Sequence, residues 1–424
     1  TYPDGGSTRT VYDAAGREIA SLDEKGNEIG YGYDAAGNRL SAVDALGNET
    51  RYAYDVTGRQ TGVTDANGRV TGFDYDAAGR RTKTRLPNGA ETALGYDAAG
   101  RLTQKTDPAG KTTTYEYDAQ GRLTAVIDAL GQRTSYSYDE QGKLLTQTDA
   151  NGHITRYEYD ALGQRTATVL PLGQRSTSVY DVVGNLISST DFNSATTTYG
   201  YDASDRLGSK QLPDGPAVNF TYTASGQRET ATDGRGVTRY AYDARDRLLS
   251  RTDPDGALIR YTYDSVGNVN SITTLAGAVA YTFDARNQMA TVTAPDGSVT
   301  RYAYDAVGNL IRTDLPNGTA ETRTYDELNR LTLIESRNTA TGQIMTRFAY
   351  ALDSAGNRTS VTEHDGRRVE YAYDALDRLT QERIFNPGAT QASRTLGYVY
   401  DPVGNRLRRD DSMEGVTTYA YDDN

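Results

Sequence analysis

A tyrosine followed by an aspartate returns along this chain at an almost constant interval. The second aromatic of each Y-x-Y-D unit falls at Tyr12, Tyr33, Tyr54, Tyr75, Tyr96, Tyr117, Tyr138, Tyr159, Tyr180, Tyr201 and Tyr222, each step being 21 residues. The series runs on through Tyr242, Tyr263, Phe283, Tyr304, Tyr325, Tyr350, Tyr373, Tyr400 and Tyr421 with steps of 20 to 27. Twenty units thus fill residues 1–424 as one array without a linker. A fixed period of this length marks a repeat architecture in which each unit leans on its neighbours.

Each unit carries two turn signals. Asp34-Ala35-Ala36-Gly37 is followed ten residues later by Asp44-Ala45-Leu46-Gly47, and the next unit opens at Asp55. Aspartate bonds its own backbone two residues on, and glycine takes the left-handed conformation that closes a short hairpin. Of nineteen first turns, fourteen have glycine at the position of Gly37; the others have Asp205, Asp246, Asn287, Asn329 and Asp377. Asp and Asn are the side chains that best tolerate positive φ, so backbone geometry rather than chemistry is expected to choose this position. The second turn varies more and includes the proline forms at Leu86, Leu212 and Leu315, where proline presets the first corner residue.

Two turns per unit imply two strands per unit. In the strand entering the tyrosine turn, residues two apart share a face, so Tyr52 pairs with Tyr54 and Tyr136 with Tyr138, while Ala53 and Ser137 point the other way. Two residues past the turn glycine stands Leu102, Leu123, Leu144, Leu186 or Leu310 in some units and Arg39, Arg81, Arg165, Arg228 or Arg406 in others. No helix-period stripe runs through either segment. The fold class is therefore all-β, a succession of hairpins pairing side by side, with the tyrosines expected to stack in ladders along the sheet.

Composition narrows the function. A net charge of -12 and a pI near 4.9 repel phosphate backbones, which excludes nucleic acid as a partner. The chain has no cysteine, hence no disulfide framework and no thiolate metal site. A mean hydropathy of -0.68 and the lack of any run approaching about 18 apolar residues leave no membrane-spanning helix. The chain starts at Thr1 without a signal segment, opens at "YPDG" and closes just after "YAYD", both within a unit. It is read as an excerpt from a longer polypeptide.

Chemistry-bearing constellations are scarce. One aspartate per turn does not make a calcium loop, which needs several oxygens converging within one turn. His153 and His364 are the only histidines; both sit in or beside turns and neither belongs to a triad arrangement. The arginine pairs at Arg80, Arg367 and Arg408 read as solvated charge. No catalytic, cofactor-binding or metal residue is assigned, and no enzyme activity is expected.

The unit "YDAAGR", followed by a second D-x-x-G turn and a T-x-Y-x-Y-D strand, resembles the YD repeat of the Rhs family of bacterial polymorphic toxins, of the BC component of insecticidal toxin complexes and of animal teneurins. The resemblance covers essentially the whole chain. It implies a continuous β-ribbon spiralling into a hollow shell that holds a C-terminal toxin polypeptide of the same or an associated chain until delivery. That role would place it in a secreted or cell-surface setting with secretion-apparatus partners. The family's self-cleaving core carries a D-P-x-G-L type site. Asp401-Pro402-Val403-Gly404 resembles it superficially, but Asn405 follows and the segment fills an ordinary first turn, so catalysis is not carried over. The alternative function is a binding module that grips cell-surface carbohydrate with its tyrosine ladders. Tryptophan-based choline- or glucan-binding solenoids do not fit a chain with no tryptophan, and a propeller needs a period near 40.

Shell size follows from strand geometry. About forty strands spaced about 4.8 Å make a ribbon roughly 190 Å long and about 20 Å wide. Closed into a sphere it would leave an inner radius of about 12 Å, less than the roughly 17 Å outer radius of a folded 100-residue domain. An open segment of wall is therefore expected, with unpaired first and last strands.

Overall fold

The computed structural model describes residues 1–424 and contains strands and turns only. Thirty-nine strands form one sheet, from Arg9–Tyr12 to Gly415–Thr418. Each strand pairs antiparallel with its sequence neighbours, as Thr112–Tyr117 does with Leu123–Ile127 and that strand with Arg133–Tyr138. The all-β expectation and the two strands per unit are what the chain adopts.

Both turns of a unit are built alike. Asp34 N–H donates to the Asn38 carbonyl (3.0 Å) and Gly37 N–H to the Asp34 carbonyl (3.2 Å); Asp44, Asn48 and Gly47 repeat the pattern at 3.0 and 2.9 Å. This is a three-residue loop whose last member must be left-handed. The fourteen first-turn glycines have φ between 77° and 103°, and Asp205, Asp246, Asn287, Asn329 and Asp377 have φ between 56° and 61°. Ser194, in a second turn, joins them at 66°. The two 20-residue steps have a local cause: Asp233 pairs with Gly236 and Thr274 with Gly277, so a two-residue loop replaces the three-residue one.

One register reading is corrected. The unit marked at Tyr350 turns instead at Asp353, whose N–H donates to the Asn357 carbonyl. Leu352 therefore stands at the second aromatic position, opposite Arg358. The sequence "FAYAL" offers its aromatics two residues early, and hydrogen bonding of the turn overrides the aromatic pattern.

The two edges of the ribbon differ. At all nineteen tyrosine turns the register slips by one residue, as where Tyr138 faces Leu144 but Ser137 faces Thr146. Across a typical second turn, Ala125–Ser135, Val126–Thr134 and Ile127–Arg133 stay in step. A bulge bends its strand and adds local twist, so a bulge repeated along one edge makes the ribbon coil.

Coiling carries the ribbon past its own beginning. The loop after Glu18–Leu22 meets the turn after Leu258–Tyr263 through Lys25 and Asp264, 2.6 Å apart. One circuit therefore takes 23 strands. At about 4.8 Å per strand the perimeter is about 110 Å and the mid-wall radius about 18 Å. The expected incomplete wall is thus correct in being open at both ends, but it overlaps itself for much of its length. No second layer backs the sheet. Only 13 of 424 residues are buried, and the accessible area of 23601 Å² compares with about 16,000 Å² for a compact monomer of this mass.

Candidate functional site: the tyrosine turn and the seam

The tyrosine turn is a clamp between successive units, and Asp118 shows its parts. Its Oδ1 accepts the N–H groups of Gln120 (3.0 Å) and Arg122 (2.9 Å), and its Oδ2 accepts Arg122 Nε (2.6 Å). The Arg122 N–H, more than its side chain, holds the Asp118 carboxyl below the usual range against the opposing effect of burial. The same guanidinium then crosses to the next unit. It donates to the Asp139 carbonyl at 2.7 Å and lies 5.1 Å from the centre of the Tyr138 ring. Tyr138 closes the clamp by donating its hydroxyl to the Leu123 carbonyl at 2.7 Å.

That carbonyl needs a partner. The ladder between Leu123–Ile127 and Arg133–Tyr138 covers only Ala125 to Ile127, so Leu123 lies beyond it and the phenol supplies the missing rung. Sixteen second-position tyrosines, from Tyr33 to Tyr421, donate in this way to the preceding unit. Each bond contributes about 1 kcal/mol.

The mixed position two past the glycine also resolves. Arg39, Arg81, Arg165, Arg228 and Arg406 lie over the first aromatic of their own units, Tyr31, Phe73, Tyr157, Phe220 and Tyr398, at 4.2 to 5.7 Å. The expected tyrosine ladder is accordingly interleaved with cations. Arg80 is not solvated charge, because it bonds Asp76, donates to the Asp97 carbonyl and covers Tyr96. Arg367 and Arg408 make local pairs with Glu363 and Asp410.

Geometry alone does not choose between glycine and Asn or Asp at the left-handed position. Nine turn arginines (Arg17, Arg59, Arg80, Arg101, Arg122, Arg206, Arg247, Arg330 and Arg378) reach the next turn's first carbonyl, and each next turn has glycine there. A Cβ on Gly121 would be in van der Waals contact with the Arg101 guanidinium at 3.8 Å, so a longer side chain there would compete with it for space. After four of the five asparagines at the preceding position the space is filled, Asn38 before Gly58 being the exception. Asn185 donates to Asp205 (3.0 Å), Asn268 to Asn287 (2.9 Å), Asn309 to Asn329 (2.7 Å) and Asn357 to Asp377. Asp246 receives Ser225 at 2.7 Å. Sequence reasoning missed this pairing. Its signal was the residue following each turn glycine, read together with the next unit.

The seam is where the two windings meet. Second turns of the first winding rest on tyrosine turns of the second. Arg245 bonds Asp4 (2.6 Å) and Glu24 (3.1 Å), Asn67 donates to Asp305 (3.1 Å), Lys111 bonds Asp377, and Asn151 donates to Asp401 (3.1 Å). No backbone–backbone hydrogen bond crosses it. His153 belongs here, between Asp149 (3.5 Å) and Asp423 (3.3 Å), whereas His364 sits exposed in its turn. Asp401, in the segment resembling a cleavage site, is an ordinary clamp residue: its Oδ2 accepts Asn405 at 3.0 Å and its carbonyl accepts Arg378 at 2.9 Å.

No three acidic or histidine side chains converge on a point that could hold a metal ion, and no helix is long and apolar enough to cross a membrane. The most buried charge, Asp411, is held by Arg394 and Arg409, and Arg394 keeps its carboxyl well below the usual range. Near it, burial and a 2.6 Å bond to Glu382 push the Tyr398 phenol up to about 12. Both clusters tie neighbouring strands together.

A one-layer wall of mutually clamped hairpins, coiled and fastened along a polar seam, is a structural scaffold. The chain belongs to the RHS repeat family, whose model matches residues 12–49, 33–69, 54–91, 96–133, 117–153, 138–175, 180–217, 242–279, 283–320, 304–344 and 353–384. No curated protein matches it in sequence. Among solved structures it is similar to the crystal structure of TcdB2-TccC3-Cdc42, with a TM-score of 0.75 and 17% identity over 96% of this chain and 25% of the other. TcdB2-TccC3-TEV gives a TM-score of 0.62 at 18% identity over 98% of this chain and 26% of the other. A Photorhabdus luminescens Tc holotoxin pore with a mutated TccC3 gives 0.56 at 18% over 97% and 26%. At such identities the likeness is one of fold, and this chain spans about a quarter of the length of the chains it matches.

Proposed function

We propose that residues 1–424 are a single repeat array forming part of a hollow shell that encloses a toxin polypeptide, of the same or an associated chain, and delivers it outside the producing cell. The observation that carries this reading is the seam: a ribbon that circles past its own start and fastens to itself surrounds a space, and nothing in the fold fills it. With a mid-wall radius of about 18 Å and a wall about 10 Å thick, that lumen has a radius of about 13 Å. It is too narrow for a folded 100-residue domain, whose outer radius is about 17 Å, and wide enough for an extended chain. In this reading the array itself catalyses nothing, secretion components are its outer partners, and its setting is extracellular. The named toxin-complex neighbours support it.

Limited proteolysis of the full-length native protein tests the proposal. Polypeptide enclosed by the shell survives a protease until the wall is unfolded. Digestion of all non-repeat sequence while the repeat wall is still intact would overturn the reading.

A further inference from the structure

Asparagine followed by glycine occurs four times, at Asn67, Asn88, Asn151 and Asn317. This dipeptide is prone to lose its amide, because glycine has no Cβ to hinder attack by its own nitrogen on the asparagine side chain. All four asparagines are exposed and stand in second turns. Their glycines are held alike. Gly68, Gly89, Gly152 and Gly318 have φ between 78° and 89° and donate their N–H to the carbonyl three residues back at 2.9 to 3.2 Å.

What differs is where the carboxamides go. Asn88 and Asn317 accept an N–H of their own turns, from Ala90 (3.1 Å) and Thr319 (3.0 Å). Asn67 and Asn151 instead donate across the seam to the Asp305 and Asp401 carboxylates, both at 3.1 Å. Burial pushes Asp305 and Asp401 up, but their bonds, those from Asn67 and Asn151 among them, outweigh it and the net shift is downward. Each asparagine therefore faces a charged carboxylate at neutral pH.

We infer that Asn67-Gly68 and Asn151-Gly152 are paired deamidation sites that make opening of the seam irreversible. In the closed seam the opposing carboxylate holds the carboxamide and the turn holds the glycine N–H. Opening frees the side chain. The glycine nitrogen then attacks Cγ, the N–Cγ bond forms, the Cγ–Nδ2 bond breaks, and the proton lost by the glycine leaves with Nδ2 as ammonia. Water opens the resulting five-membered imide at either carbonyl, giving aspartate or isoaspartate. A carboxylate now stands where a donor stood, and it repels Asp305 or Asp401. No backbone–backbone hydrogen bond crosses the seam to oppose that repulsion. The inference rests on the seam alone and holds whatever the shell encloses.

Peptide mapping by mass spectrometry counts the deamidated fraction at each asparagine of the full-length native protein held at mildly alkaline pH. Lys25→Met with Lys111→Met weakens the seam without altering any Asn-Gly turn. Asn67 and Asn151 are expected to react about fivefold faster in that variant, the factor that freeing one hydrogen bond supplies. Asn317, whose carboxamide bonds only its own turn, keeps its rate. Unchanged rates at Asn67 and Asn151, or equal acceleration at Asn317, overturn the protection by the seam. Asn67→Asp with Asn151→Asp then imitates the product, and proteolytic nicking at seam loops is expected to rise at least about threefold, with an unchanged far-ultraviolet spectrum. Asn317→Asp leaves nicking as in the native protein. Nicking no faster in the double variant than in Asn317→Asp overturns the irreversible opening.

Discussion

The hydroxyl of Tyr138 donates to the carbonyl of Leu123, fifteen residues earlier and 2.7 Å away, at the point where the backbone ladder between their strands has run out. One phenol thus does for a pair of neighbouring hairpins what another backbone rung would do. Tyr136, two residues before it on the same face, donates to nothing within the chain.

Tyr138→Phe is therefore expected to cost about 1 kcal/mol, the net worth of a hydrogen bond plus the orphaned carbonyl. Tyr136→Phe should cost less than about half of that. Hydrogen exchange is the measurement, since a repeat array need not unfold in one step. Amides of Leu123–Ile127 and Arg133–Tyr138 should exchange faster in the first variant only.

The match between Arg101 and Gly121 predicts coupling across units. Gly121→Asn should destabilise the chain because its carboxamide competes with the guanidinium for one space. Adding Arg101→Asn should recover part of the loss by creating the amide contact seen between Asn309 and Asn329. A double-mutant cycle read from thermal unfolding should give a favourable coupling of about 1 kcal/mol. Additive effects would contradict the size-matching account.

Acid should loosen the seam. Asp4 is held below the usual carboxylate range by its bond to Arg245, and Asp377 by its bond to Lys111. Burial pushes Asp264 up, but Lys25 and Asn268 outweigh it and the net shift is downward. A depressed folded-state pKa adds stability that is fully present above the unfolded value of about 3.9 and is lost as pH falls through the lower folded value. Small-angle scattering should give a constant radius of gyration from about pH 5 to 8 and an increase below about pH 4. Expansion beginning near neutrality would point to other groups.

Salt and charge removal should act at the same place. Lys25→Met with Lys111→Met removes two cations from the seam and leaves every strand pair intact. The expected outcome is faster proteolytic nicking at loops facing the seam, strengthened by high salt, with an unchanged far-ultraviolet spectrum. Loss of β-structure in parallel with nicking would show that the seam and the ladder are not separable.

Gly236 should resist replacement. Its φ is 129°, and a Cβ would lie 3.0 Å from Pro254 of the following unit, so Gly236→Ala combines backbone strain with a clash against a rigid ring. A loss of at least about 1 kcal/mol is expected. Gly256→Ala keeps the strain without the clash, because nothing lies near its Cβ, and should cost less. Comparing the two melting temperatures separates the terms.

What the sequence revealed depended on range. Turn chemistry is local, and Asp34 with Gly37, or Asp246 in place of glycine, could be read directly because few residues adopt that backbone. Strand number and the tyrosine face followed from period alone. The register at Leu352 was misread because Phe348 and Tyr350 mimic an aromatic pair, and only the bond from Asp353 to Asn357 separates the two alternatives. The clamp was half legible: Asp and Arg stand four apart in plain sight, but the reach of Arg122 to Tyr138 needs two hairpins laid side by side. The seam was invisible, since the meeting of Lys25 with Asp264 depends on how many strands complete a circuit. That number is set by small bends accumulated at successive bulges, and no single residue encodes it.

The seam also governs how such a wall can change length. Inserting one whole unit into the first winding would shift its lower loops along the coil by one tooth, and loop would still meet turn because both rims share the same pitch. What would change is the phase: Lys25 would no longer find Asp264, and Arg245 would be offered a different pair of acids. Backbone geometry thus acts as the thread of a screw and the charged side chains as its detents, so that the chain can grow by whole turns of the thread while only some lengths lock.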